Sequence, residues 1–382
     1  MPTPASVSTF AVAYTQRDYF KFFPTGHSLP SGRRTVVVKL VDRDGFIGWG
    51  QAVPSPRWSY ETPESVRSAI EHYLAPELID SGIDLDDVDA AERRLHSAIA
   101  PSFSTGMPIA KAAIDLALWD LRGRRAGKSV SELMAQAYPS CTASIKPVTL
   151  SWTINVRSLD EVEAKLDEAR RRGYRHFNVK VAPDPAFDLE LCRKVRAAAP
   201  DGFLWADANG GYDLTTAVQV APRLADLGFA ALEQPLPANR LHDYRRLRAM
   251  KALPILLDES IVAAADFDEF HRLEMLDGVA VKVSRMGGLT ETLRLVQRLH
   301  ETGSLYFASG LTDPDLSLAA SLHLFTATGL ALPAALNAPQ YLAEDSILRS
   351  PLKPEGDQLM APPGPGLGVE VDEGALERLL ET

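Results

Sequence analysis

The hydrophobic rhythm of the chain changes near residue 146. Before that point apolar positions first alternate. Val36, Val38 and Leu40 share one face of a strand, Asp44-Gly45 makes a turn, and residues 46–52 return. A two-residue period on either side of a turn predicts a β-hairpin. A helical period follows over residues 63–73, with Thr62 as N-cap, over 86–98, and over 109–124, where Ala112, Ala113, Leu116, Ala117 and Trp119 recur at helical spacing. A short meander followed by helices reads as an α+β domain. Residues 18–32 and 54–62 have no period, and long loops of this kind in compact domains often carry function.

From residue 146 strand and helix alternate. Residues 147–154 read as a strand, and Ser158-Leu159-Asp160-Glu161 is a capping box opening a helix that runs to about Arg172. Further strands are predicted at 176–181, 203–207, 230–233, 255–258, 278–282, 305–309 and 332–336, with helices between them. Eight strands in this alternation predict an α/β fold, a (β/α)8 TIM-type barrel. The stretch after Asn337 is rich in Pro and Gly and is expected to run back to the first domain. The predicted organisation is an N-terminal α+β capping domain (1–140), a (β/α)8-type catalytic barrel (141–340), and a C-terminal segment (341–382) that completes the cap.

Composition narrows the function classes. The 382 residues carry a net charge of −10, with 46% hydrophobic and 24% charged residues. No basic tract stands out, which argues against nucleic acid and anionic membrane as partners. No window reaches the ~18–20 uninterrupted apolar residues of a membrane span. Residues 1–10 lack the basic start and apolar core of a signal peptide. Cys141 and Cys192 make no disulfide framework and read as buried thiols in a reducing compartment, so a cytoplasmic location is expected. His176, His242, His271 and His300 fall in predicted strands or helices away from any cluster and read as structural.

The barrel reading gives five ionisable residues a common address. Lys180, Asp207, Glu233, Asp258 and Lys282 are spaced 27, 26, 25 and 24 residues apart, one barrel unit each. Each ends a predicted strand, and barrel chemistry sits at strand C-termini. Three carboxylates crowded at one mouth repel one another unless a cation balances them. A hard divalent ion suits such oxygen ligands, so Mg2+ is expected, with Mn2+ as the alternative. Lys180 and Lys282 flank the acids and are expected on opposite sides of the pocket. A lysine amine beside a metal ion becomes usable as a base. The pattern points to removal of the proton next to a metal-held carboxylate of a small molecule. Asn209, two residues after Asp207, could orient a ligand or serve only as a turn former beside Gly210 and Gly211.

Longer motifs around these residues carry a family resemblance. Asp207-Ala208-Asn209, Glu233-Gln234-Pro235, Asp258-Glu259-Ser260, the Lys282-Val283-Ser284-Arg285-Met286-Gly287-Gly288 stretch, the helix Ala112–Leu121 and Gly366-Leu367-Gly368-Val369 together resemble the enolase superfamily, in its muconate-lactonizing branch. The resemblance implies Asp207, Glu233 and Asp258 as metal ligands and Lys180 and Lys282 as the acid/base pair. No histidine lies in 304–310, where the mandelate-racemase branch carries one. The chain also departs from the family pattern. Asn178-Val179-Lys180 stands where Lys-x-Lys is usual, so Lys180 lacks its cationic neighbour, and Gln51 replaces a frequent acid. The eighth strand ends Leu336-Asn337-Ala338 rather than Asp-x-Asp, which argues against a dipeptide amine as the recognised group.

The resemblance further implies that loops of the capping domain close over the barrel and select the substrate. The candidates are Phe20, Lys21, Phe23 and His27 in the first loop and Trp58 and Tyr60 in the second, with Asn178, Asn209 and Asn337 from the barrel. The expected reaction is racemisation, epimerisation or cycloisomerisation of an amino-acid derivative or related small acid. A dehydratase acting on a hydroxy acid or hydroxyproline-type acid is the alternative, and a non-catalytic relic of the scaffold is the other. Relatives of this kind are often symmetric homo-oligomers, and a homo-oligomer is expected here.

Overall fold

A computed structural model describes residues 2–22, 32–101, 104–143 and 146–381. The predicted hairpin forms from Arg33–Asp42 and Ile47–Ala52, paired antiparallel. A third strand, Pro4–Tyr14, pairs along the outer edge of Arg33–Asp42. Its Ala, Ser and Thr residues blur the alternation that would have announced it. The helical stretch from residue 63 is longer than its period suggests: Pro63–Ala69 passes through a π-turn at Ile70–Leu74 into Ala75–Asp80. Pro76 has no N–H to return to the preceding turn, a cause that suits the irregularity. Val88–Ala98 and Pro108–Ala126 follow the predicted helices, and Val130–Ala137 is an additional one.

Helix Pro108–Ala126 holds the molecule together. Gly48 and Gly50 let it lie directly on the hairpin, since a Cβ on either would stand 2.1 Å from the Ala117 carbonyl or 1.9 Å from that of Ala113. Its polar residues reach outward to other elements. Asp115 accepts hydrogen bonds from Leu289 N at 2.5 Å and Thr290 N at 3.2 Å, capping the barrel helix Leu289–Thr302 from another domain. Trp119 Nε1 donates to Thr290 Oγ1 at 2.9 Å. Asp120 accepts from Trp49 N at 2.9 Å, Leu367 N at 2.8 Å and Arg124 Nε at 2.8 Å. One helix thereby joins the hairpin, the barrel and the C-terminal return.

Seven parallel strands run in sequence order: Trp152–Ile154, Phe177–Lys180, Leu204–Asp207, Leu232–Glu233, Ile255–Leu257, Gly278–Val281 and Leu305–Ala308. The predicted strand at 332–336 is not a regular strand. It forms two isolated parallel bridges, Ser309 with Ala335 and Leu150 with Ala334, and these close the ring. Ala335 N donates to Ala308 O and Ala334 N to Thr149 O, both at 2.8 Å. Pro333, which has no N–H to give to a neighbouring strand, stands inside this segment, a cause that suits the short ladder. Inside, Trp205, Ala231, Leu256, Phe307 and Ala335 fill the barrel, with Phe203 packed against Trp205 and Phe307. This aromatic plug is the floor under the site.

The chain beyond residue 341 contacts both parts. Gln358–Leu359 pairs with Val148–Thr149 at the start of the barrel. Ala13 N donates to Leu379 O and Glu381 N to Ala11 O, both at 3.0 Å, at the edge of the capping sheet. Cys141 and Cys192 are both free and buried. Among the described residues no helix is long and apolar enough to cross a membrane.

Glu61 caps helix Pro108–Ala126 by accepting from Ile109 N at 2.8 Å and Ala110 N at 3.0 Å. Burial lifts its carboxyl from 4.5 to about 7, against the pull of those two donors. Between these values the folded protein holds a proton that the unfolded chain has released. The stabilisation is therefore complete below the unfolded value and is lost as pH rises through the folded one, on the order of 3 kcal/mol at ~1.4 kcal/mol per pH unit. In Glu61→Gln this contribution should disappear, so the wild-type-minus-variant difference in denaturant stability should shrink from pH 4.5 to pH 7. A difference constant over that range contradicts the assignment.

Candidate functional site

The barrel mouth is built from the ends of consecutive strands. Lys180 and Asp207 are the last residues of the second and third strands and are partners in register. Glu233 ends the fourth strand beside Asp207. Asp258 and Lys282 each stand one residue beyond their strands. All five side chains are buried. One carboxylate oxygen from each of Asp207, Glu233 and Asp258 lies within 4.8 Å of the others, so the three can hold a metal ion.

Two amines flank this trio. Lys180 Nζ pairs with Asp207 Oδ2 on one side. On the other, Lys282 Nζ lies 2.6 Å from Asp258 Oδ2 and 3.8 Å from Glu233 Oε1. Burial works to lower the Lys180 amine, but Asp207, Glu233 and Asp258 outweigh it and hold the amine above its ordinary range. Burial and the Asp207 charge push the Glu233 carboxyl well up. Asp258 behaves in the opposite way: burial would raise it, yet Arg285 and Lys282 hold it down at about 2. Glu233 Oε1 is buried and accepts no hydrogen bond, and Asp258 Oδ2 has only the Lys282 ammonium against it. Unsatisfied acceptors in a carboxylate cluster are what a divalent cation would satisfy, so these residues fit one.

Supporting groups set the geometry. Trp205 Nε1 donates to Glu233 Oε2 at 2.8 Å, so the barrel plug aims the central acid. Gln234 has a left-handed backbone at φ +37°. Its amide stabilises that conformation by accepting from Asp258 N at 2.7 Å and donating to Tyr244 OH at 2.7 Å and Ser260 Oγ at 2.8 Å. Arg285 bonds both the backbone and the side chain of Asp258. Asn209 donates from its backbone to Asp207 Oδ1 at 2.9 Å and from Nδ2 to Glu259 Oε1 at 3.1 Å. Burial lifts Glu259 to about 7, with Asp258 and Asp207 adding to it.

The loop candidates divide. Phe20 is fully buried and packs against Tyr341 at 4.6 Å and Trp58 at 5.7 Å between ring centroids. Phe22 stacks on Trp58 at 4.4 Å. Trp58 Nε1 donates to Glu259 Oε1 at 2.9 Å, and its ring lies 5.7 Å from Lys180 Nζ and 5.2 Å from Lys282 Nζ. An aromatic lid therefore sits over both amines. Lys21 is partly buried beside Phe22, and burial, helped by the charge of Lys180, lowers its amine to about 8. Tyr60 has a left-handed backbone at φ +36° and is 66% exposed. Phe23 and His27 lie outside the described residues. Asn178 and Asn337 are buried inside the barrel.

Sequence reasoning did not assign site positions to Glu259, Arg285, Gln234 or Trp205. The first three stood inside the motifs Asp258-Glu259-Ser260, Lys282-Val283-Ser284-Arg285 and Glu233-Gln234-Pro235. Trp205 gave no signal, because a tryptophan two residues before a strand end reads as core.

Comparison with known proteins agrees with this geometry. Residues 23–135 match the family described as mandelate racemase / muconate lactonizing enzyme, N-terminal domain, and residues 161–375 match the one described as enolase C-terminal domain-like. The chain is 30% identical to a chloromuconate cycloisomerase of Cupriavidus necator, over 97% of each chain. It is 29% identical to an o-succinylbenzoate synthase of Geobacillus stearothermophilus, over 93% of this chain and 91% of that one. The crystal structure of 2-chloromuconate cycloisomerase from Rhodococcus opacus superposes with a TM-score of 0.88 at 26% identity, covering 100% of this chain and 99% of the other.

Replacing Trp205 by Phe removes the donor to Glu233 and keeps most of the plug. Affinity for Mg2+ or Mn2+, measured by titration calorimetry, should fall about 10–100-fold, the usual effect of losing a group that orients a ligand. Unchanged affinity would mean that Glu233 needs no such orientation.

Proposed function

Because the chain belongs to the mandelate racemase and muconate lactonizing enzyme family of the enolase superfamily, in its muconate-lactonizing branch, we propose that it removes the proton α to the carboxylate of a small acid and returns a proton, or closes a ring, on the resulting enediolate. The observation that carries this reading is the pair of buried amines, Lys180 and Lys282, each held by a different acid of one trio. Such a pair can serve the two faces of a carbon placed between them.

Asp207, Glu233 and Asp258 are the residues that would hold a divalent ion, Mg2+ or Mn2+. Bound there, the ion supplies positive charge that anchors the substrate carboxylate and stabilises the charge developing on it. In this reading Lys180 and Lys282 move the proton at the α-carbon, one as base and the other as acid. Arg285 keeps Asp258 ionised. Trp58 and Phe20 cover the amines and exclude water, which strengthens the electrostatic interactions beneath them. Racemisation, epimerisation and cycloisomerisation of an amino-acid derivative or related acid share this first step, as does loss of a β-leaving group.

The test is α-hydrogen exchange in D2O with Mg2+, followed by NMR over a panel of N-substituted amino acids, hydroxy acids and unsaturated diacids. Exchange should appear on at least one class, and product analysis then separates inversion, ring closure and loss of water. Lys180→Ala and Lys282→Ala should each reduce turnover by ~10²–10⁴-fold with the fold retained by circular dichroism. Full activity of Lys180→Ala would leave Lys282 as a single base and end the two-face reading.

A further inference from the structure

The two lysines leave their strands differently. Lys282 enters a turn at once, with Arg285 N and Met286 N both donating to its carbonyl at 3.1 Å. After Lys180 the ladder runs one residue further, where Val181 N donates to Asp207 O at 2.9 Å. The next residue, Ala182, has a left-handed backbone at φ +71°. A residue with a Cβ keeps that conformation only where its surroundings enforce it.

Two side chains outside the mouth do so. Ala182 N donates to Asp188 Oδ2 at 2.8 Å, and Tyr212 OH donates to the same oxygen at 2.6 Å. Asp188 lies in the first turn of helix Pro185–Ala198 but does not cap it. Asp184 does, accepting from Ala186 N at 3.0 Å and Phe187 N at 3.2 Å. The Asp188 carboxylate is buried and committed to the loop beside it. Tyr212, also buried, ends the loop that follows Asp207. That loop is fixed to the exit of the fourth strand, with Gly210 N donating to Gln234 O at 2.7 Å and Tyr212 N to Pro235 O at 3.1 Å. It also presses on Ala182, since a Cβ on Gly211 would stand 2.7 Å from that of Ala182. Contacts thus run from the acid-bearing strands through Tyr212 and Asp188 to the residue two places after Lys180. Among the described residues, neither Asp188 nor Tyr212 bonds to the acid trio or to the Lys282–Gly288 stretch.

We propose that Asp188 and Tyr212 are positioning residues for Lys180, a clasp that sets the amine on one face of the α-carbon and has no hold on the other. They act through the backbone of Ala182. The inference rests on the proposed function, in which Lys180 and Lys282 serve opposite faces. Misplacing a reacting group by a small distance costs up to ~100-fold in rate. Cutting the clasp therefore makes a one-sided defect.

Three variants test this. Asp188→Ala removes the shared acceptor, Tyr212→Phe removes one donor and keeps the ring, and Asp188→Asn keeps an oxygen for Ala182 N. Two readouts are taken on the Mg2+-loaded enzyme. The first needs no substrate: acetylation of Lys180 relative to Lys282 by acetic anhydride, followed by mass spectrometry. The second is α-deuterium exchange into each enantiomer of N-acetylalanine, N-acetylphenylalanine and 2-hydroxybutyrate, with Lys180→Ala and Lys282→Ala identifying the face each amine serves. In Asp188→Ala the labelling ratio should change, and exchange on the Lys180 face should fall ~10–100-fold while the Lys282 face stays within about twofold. Tyr212→Phe should give a smaller loss on the same face, and Asp188→Asn should restore most of it. If circular dichroism shows Asp188→Ala unfolded, Tyr212→Phe decides. Equal loss on both faces, or a labelling ratio unchanged in every folded variant, overturns the inference. A changed ratio with no exchange by the wild-type enzyme on any probe would support the clasp and reject the proton-abstraction reading. Exchange on both faces with no one-sided defect would do the reverse.

Discussion

The constraint on which the site depends is charge balance out of water. Asp207, Glu233 and Asp258 are buried together within one ligand's reach, and carboxylates so placed cannot all remain ionised unaided. The fold answers with Lys180 against Asp207, and with Lys282 and Arg285 against Asp258. Glu233 lies furthest from compensation. Its nearest amine is 3.8 Å away, and its carboxyl is the one displaced upward. The asymmetry leaves the centre of the trio as the point where an added positive charge gains most.

That balance needs strand ends that do not wander. The barrel plug supplies rigidity from below through Trp205, and the left-handed turn at Gln234 is locked by a single amide that spans two neighbouring strand ends. From the side, Asp115 of the capping domain holds the start of helix Leu289–Thr302, directly after the Lys282–Gly288 stretch. A carboxylate far outside the mouth therefore constrains the position of one of its amines.

The barrel was legible because parallel strands followed by helices repeat at a nearly constant length, and Lys180, Asp207, Glu233, Asp258 and Lys282 mark that length. The eighth strand was legible only as a position: its apolar run was visible, but not that two bridges would suffice to close the ring. Strand Pro4–Tyr14 escaped because Ala, Ser and Thr give no alternation. Helix Val130–Ala137 escaped although Ser129 and Glu132 form its capping box, a signal the sequence contained. Tyr60 shows the limit for loops. Composition placed it with Trp58 in the lid, but it stands 66% exposed while Trp58 is partly buried, and no periodicity encodes that difference.

The cross-brace from helix Pro108–Ala126 also bears on how anything reaches the amines. Asp115 and Trp119 pin the capping domain to the barrel close to Lys282, and Asp120 binds the C-terminal return to the same helix. A clamshell motion of two rigid halves would have to break all of these buried bonds at once. Over the amines themselves lie the rings of Phe20 and Trp58, with Phe22 stacked on Trp58 and the indole bonded to Glu259, so the pinned helix and the aromatic cover hold the mouth from two different sides.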